Sequence, residues 1–331
     1  MDAVRLRNHI SFAHPVDHGH VDDWLDMEDI WSHIYLQELA IEDQSQQSVL
    51  VTVPPRVSRV HKQNLLETFF ESHDAPEVSL GVQGHLALYS HGITTGLVVD
   101  VGEGVTQAVP TILGWHDSHS QQRSDFGGCE LTMYLQKLLC DRGYKLTTRD
   151  DYEYVRIIKE NLCFVSPNPV EEDPTSLRAE WQLPDGVALS SGQSTIELDG
   201  ERFYAAEPLF EPRIVQRECP ALTEIIWQAV NGVAMDHRKD MLENIVLTGG
   251  TTLLPGLQER IAKELRLTAP EQARGIVKVS GHEGEKRLFA VWQGARIYCE
   301  PGIRDAHSSR WVSRAEWEEE GANVVARKLR E

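Results

Sequence analysis

One short segment combines a carboxylate with two closely spaced glycines. Residues 97–106 are Leu-Val-Val-Asp-Val-Gly-Glu-Gly-Val-Thr, so a hydrophobic run leads from Asp100 into a turn that contains Gly102, Glu103 and Gly104. Backbone N–H groups in a glycine-rich turn can point into one concavity and bind phosphate oxygens, and a nearby Asp suits a hydrated divalent cation. A plain β-hairpin with Asp and Gly as turn formers explains the same residues.

A second glycine turn follows another hydrophobic run. Residues 244–252 are Asn-Ile-Val-Leu-Thr-Gly-Gly-Thr-Thr, which predicts a buried strand that ends at Thr248, Gly249, Gly250 and Thr251 before a helix. Free amides at a helix N-terminus commonly bind anions or nucleotides. A tight connection in which Thr caps the helix also explains this pattern.

Three charged residues share one predicted helix. They are Arg156, Lys159 and Glu160, and an exposed ion pair is the ordinary outcome for Arg156 and Glu160 at this spacing. The sequence contains no HExxH, Walker A, GxSxG or kinase motif. These motifs alone predict a soluble α/β protein with a candidate nucleotide site.

The composition limits the classes of partner. The chain has 331 residues, and its 51 Asp and Glu against 32 Lys and Arg give a formal net charge of -19. This length predicts two lobes, and the negative charge argues against direct nucleic-acid or anionic-membrane binding. Five cysteines without a CxxC pair and the lack of a long apolar run predict a reducing cytosolic or nuclear location.

Strands and helices alternate along the chain, which favours an α/β architecture. Hydrophobic periodicity predicts helices over 21–35, 62–72, 83–90, 125–140, 150–165, 221–230, 238–242, 255–265 and 288–297. β-Branched runs predict strands over 48–53 and 244–248, and two strands around the first glycine turn. Leu183-Pro-Asp-Gly and Leu198-Asp-Gly-Glu predict two hairpin turns.

In this order, the segments resemble actin and the actin-related proteins from about residue 10 to residue 328. The strongest blocks are Asp23-Trp-Leu-Asp-Met-Glu-Asp-Ile-Trp, Thr94-Thr-Gly-Leu-Val-Val-Asp-Val-Gly-Glu-Gly-Val-Thr, Val155-Arg-Ile-Ile-Lys-Glu-Asn-Leu-Cys, Glu201-Arg-Phe, Asp236-His-Arg-Lys-Asp, Val246-Leu-Thr-Gly-Gly-Thr-Thr and Trp311-Val-Ser-Arg-Ala-Glu-Trp. The resemblance implies the actin-like fold of two ribonuclease H-like lobes, shared with sugar kinases and Hsp70. It divides the chain into 1–90 of the first lobe, 91–127 with 217–289 as the core of the second lobe, 128–216 as its upper part, and 290–331 returning to the first lobe.

The resemblance also implies a cleft that binds ATP or ADP with Mg²⁺. Asp100 matches the carboxylate that acts on the metal through water, residues 102–104 match the second phosphate hairpin, and Gln83 matches the glutamine that helps to order the attacking water. Arg156, Lys159 and Glu160 match residues around adenine and ribose, and residues 248–251 match the glycine turn beside the nucleotide. Gln107 stands where a histidine is common near that water.

Departures from the family pattern predict a weakened site. Nothing in residues 1–20 resembles the first phosphate hairpin with its Asp and lysine, or the mobile loop of filament contacts. Phosphoryl transfer depends on charge stabilisation around the phosphate, so this departure predicts little hydrolysis. Further departures are Val101 for a hydroxyl residue, Glu103 for Asp, Cys129 for an arginine and Leu288 for a lysine.

Three hypotheses follow for the function. The first is a structural, cytoskeletal or complex-scaffold subunit with other protein subunits as partners, located in the cytoplasm, the cytoskeleton or the nucleus. The second is an ATP-hydrolysing actin-like protein whose N-terminus is missing from the gene model, and the third is a sugar-kinase-like enzyme. Under the first hypothesis, we expect the strand at 48–53 to have an unpaired edge that a partner chain covers.

Overall fold

Two main sheets, each backed by helices, build the fold in the computed structural model, which describes residues 13–116, 118–169, 172–183 and 193–329. The strands are β1 (Val16–Asp17), β2 (His20–Val21), β3 (Val49–Val53), β4 (Glu77–Val82), β5 (Gly96–Val101), β6 (Thr106–Ile112), β7 (Trp115–His116), β8 (Gln122–Ser124), β9 (Ala179–Gln182), β10 (Thr195–Leu198), β11 (Ile245–Thr248), β12 (Val279–Ser280) and β13 (Val312–Ser313). The α-helices are α1 (Trp24–His33), α2 (Arg59–Glu67), α3 (Gln83–Ser90), α4 (Gly128–Asp141), α5 (Arg149–Leu162), α6 (Glu201–Tyr204), α7 (Leu222–Gly232), α8 (Met235–Glu243), α9 (Leu257–Thr268), α10 (Ala290–Tyr298), α11 (Pro301–Ala306), α12 (Arg314–Glu320) and α13 (Asn323–Lys328). No helix within these residues is both long and apolar enough to cross a membrane.

The larger sheet brings the two predicted glycine turns to one edge. Its strand order is β12-β11-β5-β6-β7, and β8 pairs with β6. β11 runs parallel to β5 with Thr248 opposite Asp100, and β6 runs antiparallel to β5 with Gln107 opposite Asp100. Ligands of open α/β sheets bind outside the carboxyl ends of the strands, so the register of this sheet assembles a candidate site at that edge.

The smaller sheet has the strand order β13-β4-β3. β3 runs parallel to β4, and within the described residues β3 pairs with no other strand. This sheet contributes to a core that includes Leu66, Phe70, Val78 and Val312.

A small third cluster joins the two sheets. It contains Ala87 and Leu88 of α3, Val98 of β5, Val246 of β11 and Ala290 of α10. Helix α3 begins at the end of β4 in the smaller sheet and packs on β5 of the larger sheet. Helices α3 and α10 therefore connect the two cores, while the larger core lies between the larger sheet and the helices α4, α5, α7 and α9.

Most predicted elements are present, with shifted ends. Helix α3 has its predicted bounds, whereas the helix predicted from residue 21 begins at Trp24, because Asp23 caps it by accepting hydrogen bonds from Leu25 N and Asp26 N. The hairpin predicted at Leu198-Asp-Gly-Glu is wrong. Gly200 is instead the N-cap of the short helix α6. The other predicted hairpin turn, at residues 184–186, lies outside the described residues.

Substitution of the exposed Thr52 on β3 by lysine is expected to raise the monomeric fraction of the chain severalfold. A strand with unpaired backbone groups is a template for pairing with another chain, and a lysine on the edge opposes such pairing. We expect the wild-type chain to be poorly soluble when produced alone and to self-associate in size-exclusion chromatography with light scattering. Thr147→Lys, at another exposed threonine, is the matched control. A wild-type chain that elutes as a monomer at all concentrations would contradict the prediction.

Candidate functional site

A cavity of about 970 Å³ lies between the β1–β2 hairpin and the carboxyl edge of the larger sheet. Its volume is in the range of small-molecule and cofactor sites. The lining residues include His14, Val16, Asp17, His18, Gly19, Pro54, Gln83, Asp100, Gly102, Glu103, Gly104, Val105, Gln107, Cys129, Arg149, Asp150, Tyr152, Glu153, Arg156 and Glu160. Eight of the residues predicted from the sequence are in this set: Gln83, Asp100, Gly102, Glu103, Gly104, Gln107, Arg156 and Glu160.

The turn between β5 and β6 is held from behind through its carbonyl groups. Gly102 O accepts hydrogen bonds from Gly128 N (2.9 Å) and from Thr251 Oγ1 (2.8 Å), and Glu103 O accepts one from Cys129 N (2.7 Å). Among the described residues, the N–H groups of Glu103 and Gly104 donate no backbone hydrogen bond. Both residues line the cavity, so two backbone donors are available to an anion there.

Asp100 lies at the end of β5 against the second glycine turn. A side chain at position 249 would collide with Val101 O and would place its Cβ 2.5 Å from Asp100 Oδ1, and Gly249 has a φ of 90°. Only glycine fits this position without strain. Burial raises the pKa of Asp100 to about 6. Because this value is still below 7, the carboxylate is charged at neutral pH and can accept hydrogen bonds from a hydrated cation.

Gln83 and Gln107 line the same cavity as Asp100. Gln83 is the first residue of α3, and Gln107 is buried on β6 directly opposite Asp100. Both side chains offer an amide donor and an oxygen acceptor, which are the groups that orient a water molecule.

Lys159 supports the wall of the cavity and does not line it. Its ammonium group donates hydrogen bonds to Gly128 O (2.7 Å) and Thr132 Oγ1 (2.8 Å), and lies 3.9 Å from Glu103 Oε2. Burial lowers the pKa of Lys159. Because its donors point at the start of α4, this lysine stabilises the helix that holds the β5–β6 turn.

The second glycine turn has a similar supporting position. Thr251 binds the back of the β5–β6 turn, Gly250 faces the side chain of Leu288, and Thr248 is buried in β11. None of the residues 248–251 is among those that line the cavity. The structure thus places this turn next to the site, behind Asp100.

Arg156 lines the cavity, but two carboxylates hold its guanidinium group. Arg156 donates to Glu160 Oε1 (2.8 Å) and to Glu153 Oε2 (3.1 and 3.2 Å). A ligand phosphate would therefore compete with two carboxylates for this cation.

Sequence reasoning missed the β1–β2 hairpin as a wall of the cavity. Arg123 Nη2 donates to His18 O (2.6 Å), and a Cβ at Gly104 would lie 3.4 Å from His18 Cδ2. The Asp-His-Gly-His turn of residues 17–20 was a usable signal, because Gly after two polar residues favours a tight turn. Arg149, Asp150, Tyr152 and Glu153 at the start of α5 were also missed as lining residues.

The lining is strongly acidic. Asp17, Asp100, Glu103, Asp150, Glu153 and Glu160 supply six carboxylates, whereas Arg149 and Arg156 are the two Lys or Arg residues in the described lining. The two free backbone donors and Asp100 fit a phosphate with a divalent cation, but the excess of carboxylates opposes a polyanion. The residues that line the cavity therefore fit the phosphate and the cation of a magnesium nucleotide locally, but the overall charge of the lining does not fit its negative charge.

Together, the fold and the site define an α/β protein with two cores and a ligand cavity beside the carboxyl ends of its strands. The family model for actin matches residues 1–330. The chain belongs to the actin family, which confirms the resemblance and the actin-like fold predicted from the sequence blocks.

Proposed function

We propose that this actin-family chain is a structural subunit of a cytoskeletal or other multi-protein assembly, and that it binds ATP or ADP with Mg²⁺ weakly and hydrolyses little ATP. The observation that supports weak binding is the charge of the cavity, where six carboxylates face two arginines. Like charges a few ångströms apart repel, and they repel more strongly at a partly desolvated site.

The two basic residues predicted to be part of the site, Lys159 and Arg156, already bind other groups of the protein. Lys159 is buried behind the wall with its donors on Gly128 and Thr132, and Arg156 is held by Glu153 and Glu160. Phosphoryl transfer requires positive charge placed where negative charge develops. The described lining supplies little such charge, which supports slow hydrolysis.

Asp100 is the residue of this chain that would hold Mg²⁺, through water molecules. When bound, the ion would supply neutralisation of phosphate charge. The N–H groups of Glu103 and Gly104 would donate to phosphate oxygens, and Gln83 and Gln107 would orient a water molecule. We therefore expect nucleotide binding to depend on Mg²⁺.

A competent ATP-hydrolysing actin-like protein is the second candidate. The free donors at Glu103 and Gly104, and the two glutamines that line the same cavity, favour it. Steady-state phosphate release separates the two candidates, because the structural-subunit proposal expects turnover only slightly above the background rate of buffer with Mg-ATP. Turnover that disappears in Gln83→Ala would favour the second candidate.

Other protein subunits are the proposed partners, in the cytoplasm, on the cytoskeleton or in the nucleus. A formal net charge of -19 disfavours direct binding to nucleic acid or to anionic lipid and allows docking to basic protein surfaces.

The variant Glu103→Gln is expected to bind Mg-ATP about five- to tenfold more tightly than the wild type, roughly 1 kcal/mol, because it removes one carboxylate beside the free backbone donors. Isothermal titration calorimetry measures this change. Glu283→Gln, on an exposed residue outside the cavity lining, is the matched control and should leave the affinity unchanged. Equal affinities of wild type and Glu103→Gln would show that charge does not limit binding.

A further inference from the structure

A long segment without lysine or arginine includes helix α1. Residues 8–55 contain neither residue, but they contain nine carboxylates: Asp17, Asp22, Asp23, Asp26, Glu28, Asp29, Glu38, Glu42 and Asp43. This segment therefore contributes -9 of the formal net charge of -19. All nine carboxylates lie in the described part of the chain.

The inner side of this helical segment is packed on the smaller core. Trp31 contacts Phe69 with ring centroids 4.8 Å apart, Trp24 contacts His61 at 5.0 Å, and Tyr35 is buried. A π-helical turn over Ile34–Glu38 continues α1, so the helical segment runs from Trp24 to Glu38. These contacts fix which side faces the protein.

The outer side exposes aliphatic residues that helices usually bury. Leu25 is 78% exposed, Leu36 is 49% exposed and Leu39 is 56% exposed. Leu36 lies 11 residues after Leu25, close to a whole number of helical turns, so these two side chains share one side, and Leu39 follows directly after the π-helical turn. A single exposed leucine is ordinary, whereas a row along one helix is typical of an interaction site.

We infer that the outer side of this helical segment, which we call the α1 face, docks a basic amphipathic helix of a protein partner. This inference rests on the proposed role as a structural subunit. The row of leucines fits an apolar stripe on the partner, and the exposed carboxylates of Asp22, Asp29 and Glu38 fit flanking lysines or arginines. Charge complementarity excludes nucleic acid and anionic lipid, and it also disfavours a second copy of the same face.

The test uses the full chain and a fluorescein-labelled peptide of leucine and lysine with helical amphipathic spacing. A peptide of the same composition in scrambled order is the peptide control. Fluorescence anisotropy should detect the amphipathic peptide at micromolar affinity, at least about tenfold more tightly than the scrambled one. Binding should weaken as salt is raised from about 50 to about 300 mM, because screening reduces the attraction between exposed charges.

Two variants separate the α1 face from the rest of the acidic surface. Leu25→Ser with Leu36→Ser removes apolar contact, and its control is Leu113→Ser with Leu267→Ser, two residues that are also exposed. Asp22→Asn with Asp29→Asn and Glu38→Gln removes charge at the face. Its control, Glu271→Gln with Glu283→Gln and Glu285→Gln, removes the same charge from exposed residues elsewhere.

Each α1-face variant should weaken peptide binding at least about tenfold, and each control less than about twofold. Equal losses in the variants and the controls, equal binding of the scrambled peptide, or no binding would overturn the inference. Mg-ATP calorimetry on the same samples keeps the two proposals apart. If the peptide does not bind but Mg-ATP binds weakly, only the inference about the α1 face is rejected. If the peptide binds but Mg-ATP binds with nanomolar affinity, only the proposal of weak nucleotide binding is rejected.

Discussion

Replacement of Gly294 by alanine is expected to lower the free energy of unfolding by about 3 kcal/mol, because the new methyl group has no space. Gly294 lies in α10 where this helix crosses α3, and a Cβ there would overlap the carbonyl oxygen of Leu86. That neighbour is helix backbone, so relief requires the two helices to move apart. Chemical denaturation of the purified chain measures the loss.

The matched control is Gly302→Ala in α11. A Cβ at this position meets nothing within 4 Å, and alanine is the better helix former. We expect its free energy of unfolding to be unchanged or to rise by up to about 1 kcal/mol. If Gly294→Ala behaved like this control, the close crossing of α3 and α10 would be wrong, and with it the link between the two cores.

Asp100→Asn is expected to stabilise the chain at pH 7 by about 1–3 kcal/mol and to remove part of its pH dependence. Burial raises the pKa of Asp100 from 3.8 to about 6 in the native state. Between these values the native state holds a proton that the unfolded chain releases. The contribution of Asp100 to stability is therefore fully present below pH 3.8 and is lost as the pH rises through about 6.

Denaturation curves from pH 4 to pH 7 test the predicted direction of this pH dependence of stability. The difference in unfolding free energy between Asp100→Asn and wild type should grow in favour of the variant as the pH rises. Asp305→Asn, at an exposed carboxylate outside the described cavity lining, is the matched control for the removal of one charge. A difference that shrinks with rising pH would mean that Asp100 is stabilised as a carboxylate.

Local patterns made the main elements and part of the site predictable. The run from Gln83 to Ser90 has a clear helical composition, and the glycines around Glu103 mark a turn that the register of β5 and β6 confirms. Asp100 and Gln107 could be placed near each other because both flank the same turn. Such features depend on neighbours in the sequence.

Long-range packing decided the features that the sequence did not show. The positive charge of Lys159 suggested a ligand-binding residue from the sequence. Its position behind the cavity wall depends on how α5 packs on α4. The role of residues 248–251 as support depends on the hydrogen bond from Thr251 to the distant Gly102. The β1–β2 hairpin reaches the cavity through Arg123, more than 100 residues away.

Calorimetric titration of the wild-type chain with Mg-ATP distinguishes a weak nucleotide site from a competent one. An acidic cavity whose described lining has two arginines against six carboxylates should bind the nucleotide with a dissociation constant no tighter than about 10 μM, roughly -7 kcal/mol. The predicted result is either weak binding that is seen only with Mg²⁺ present or no detectable heat of binding. A nanomolar dissociation constant would contradict weak nucleotide binding and would favour a competent nucleotide site.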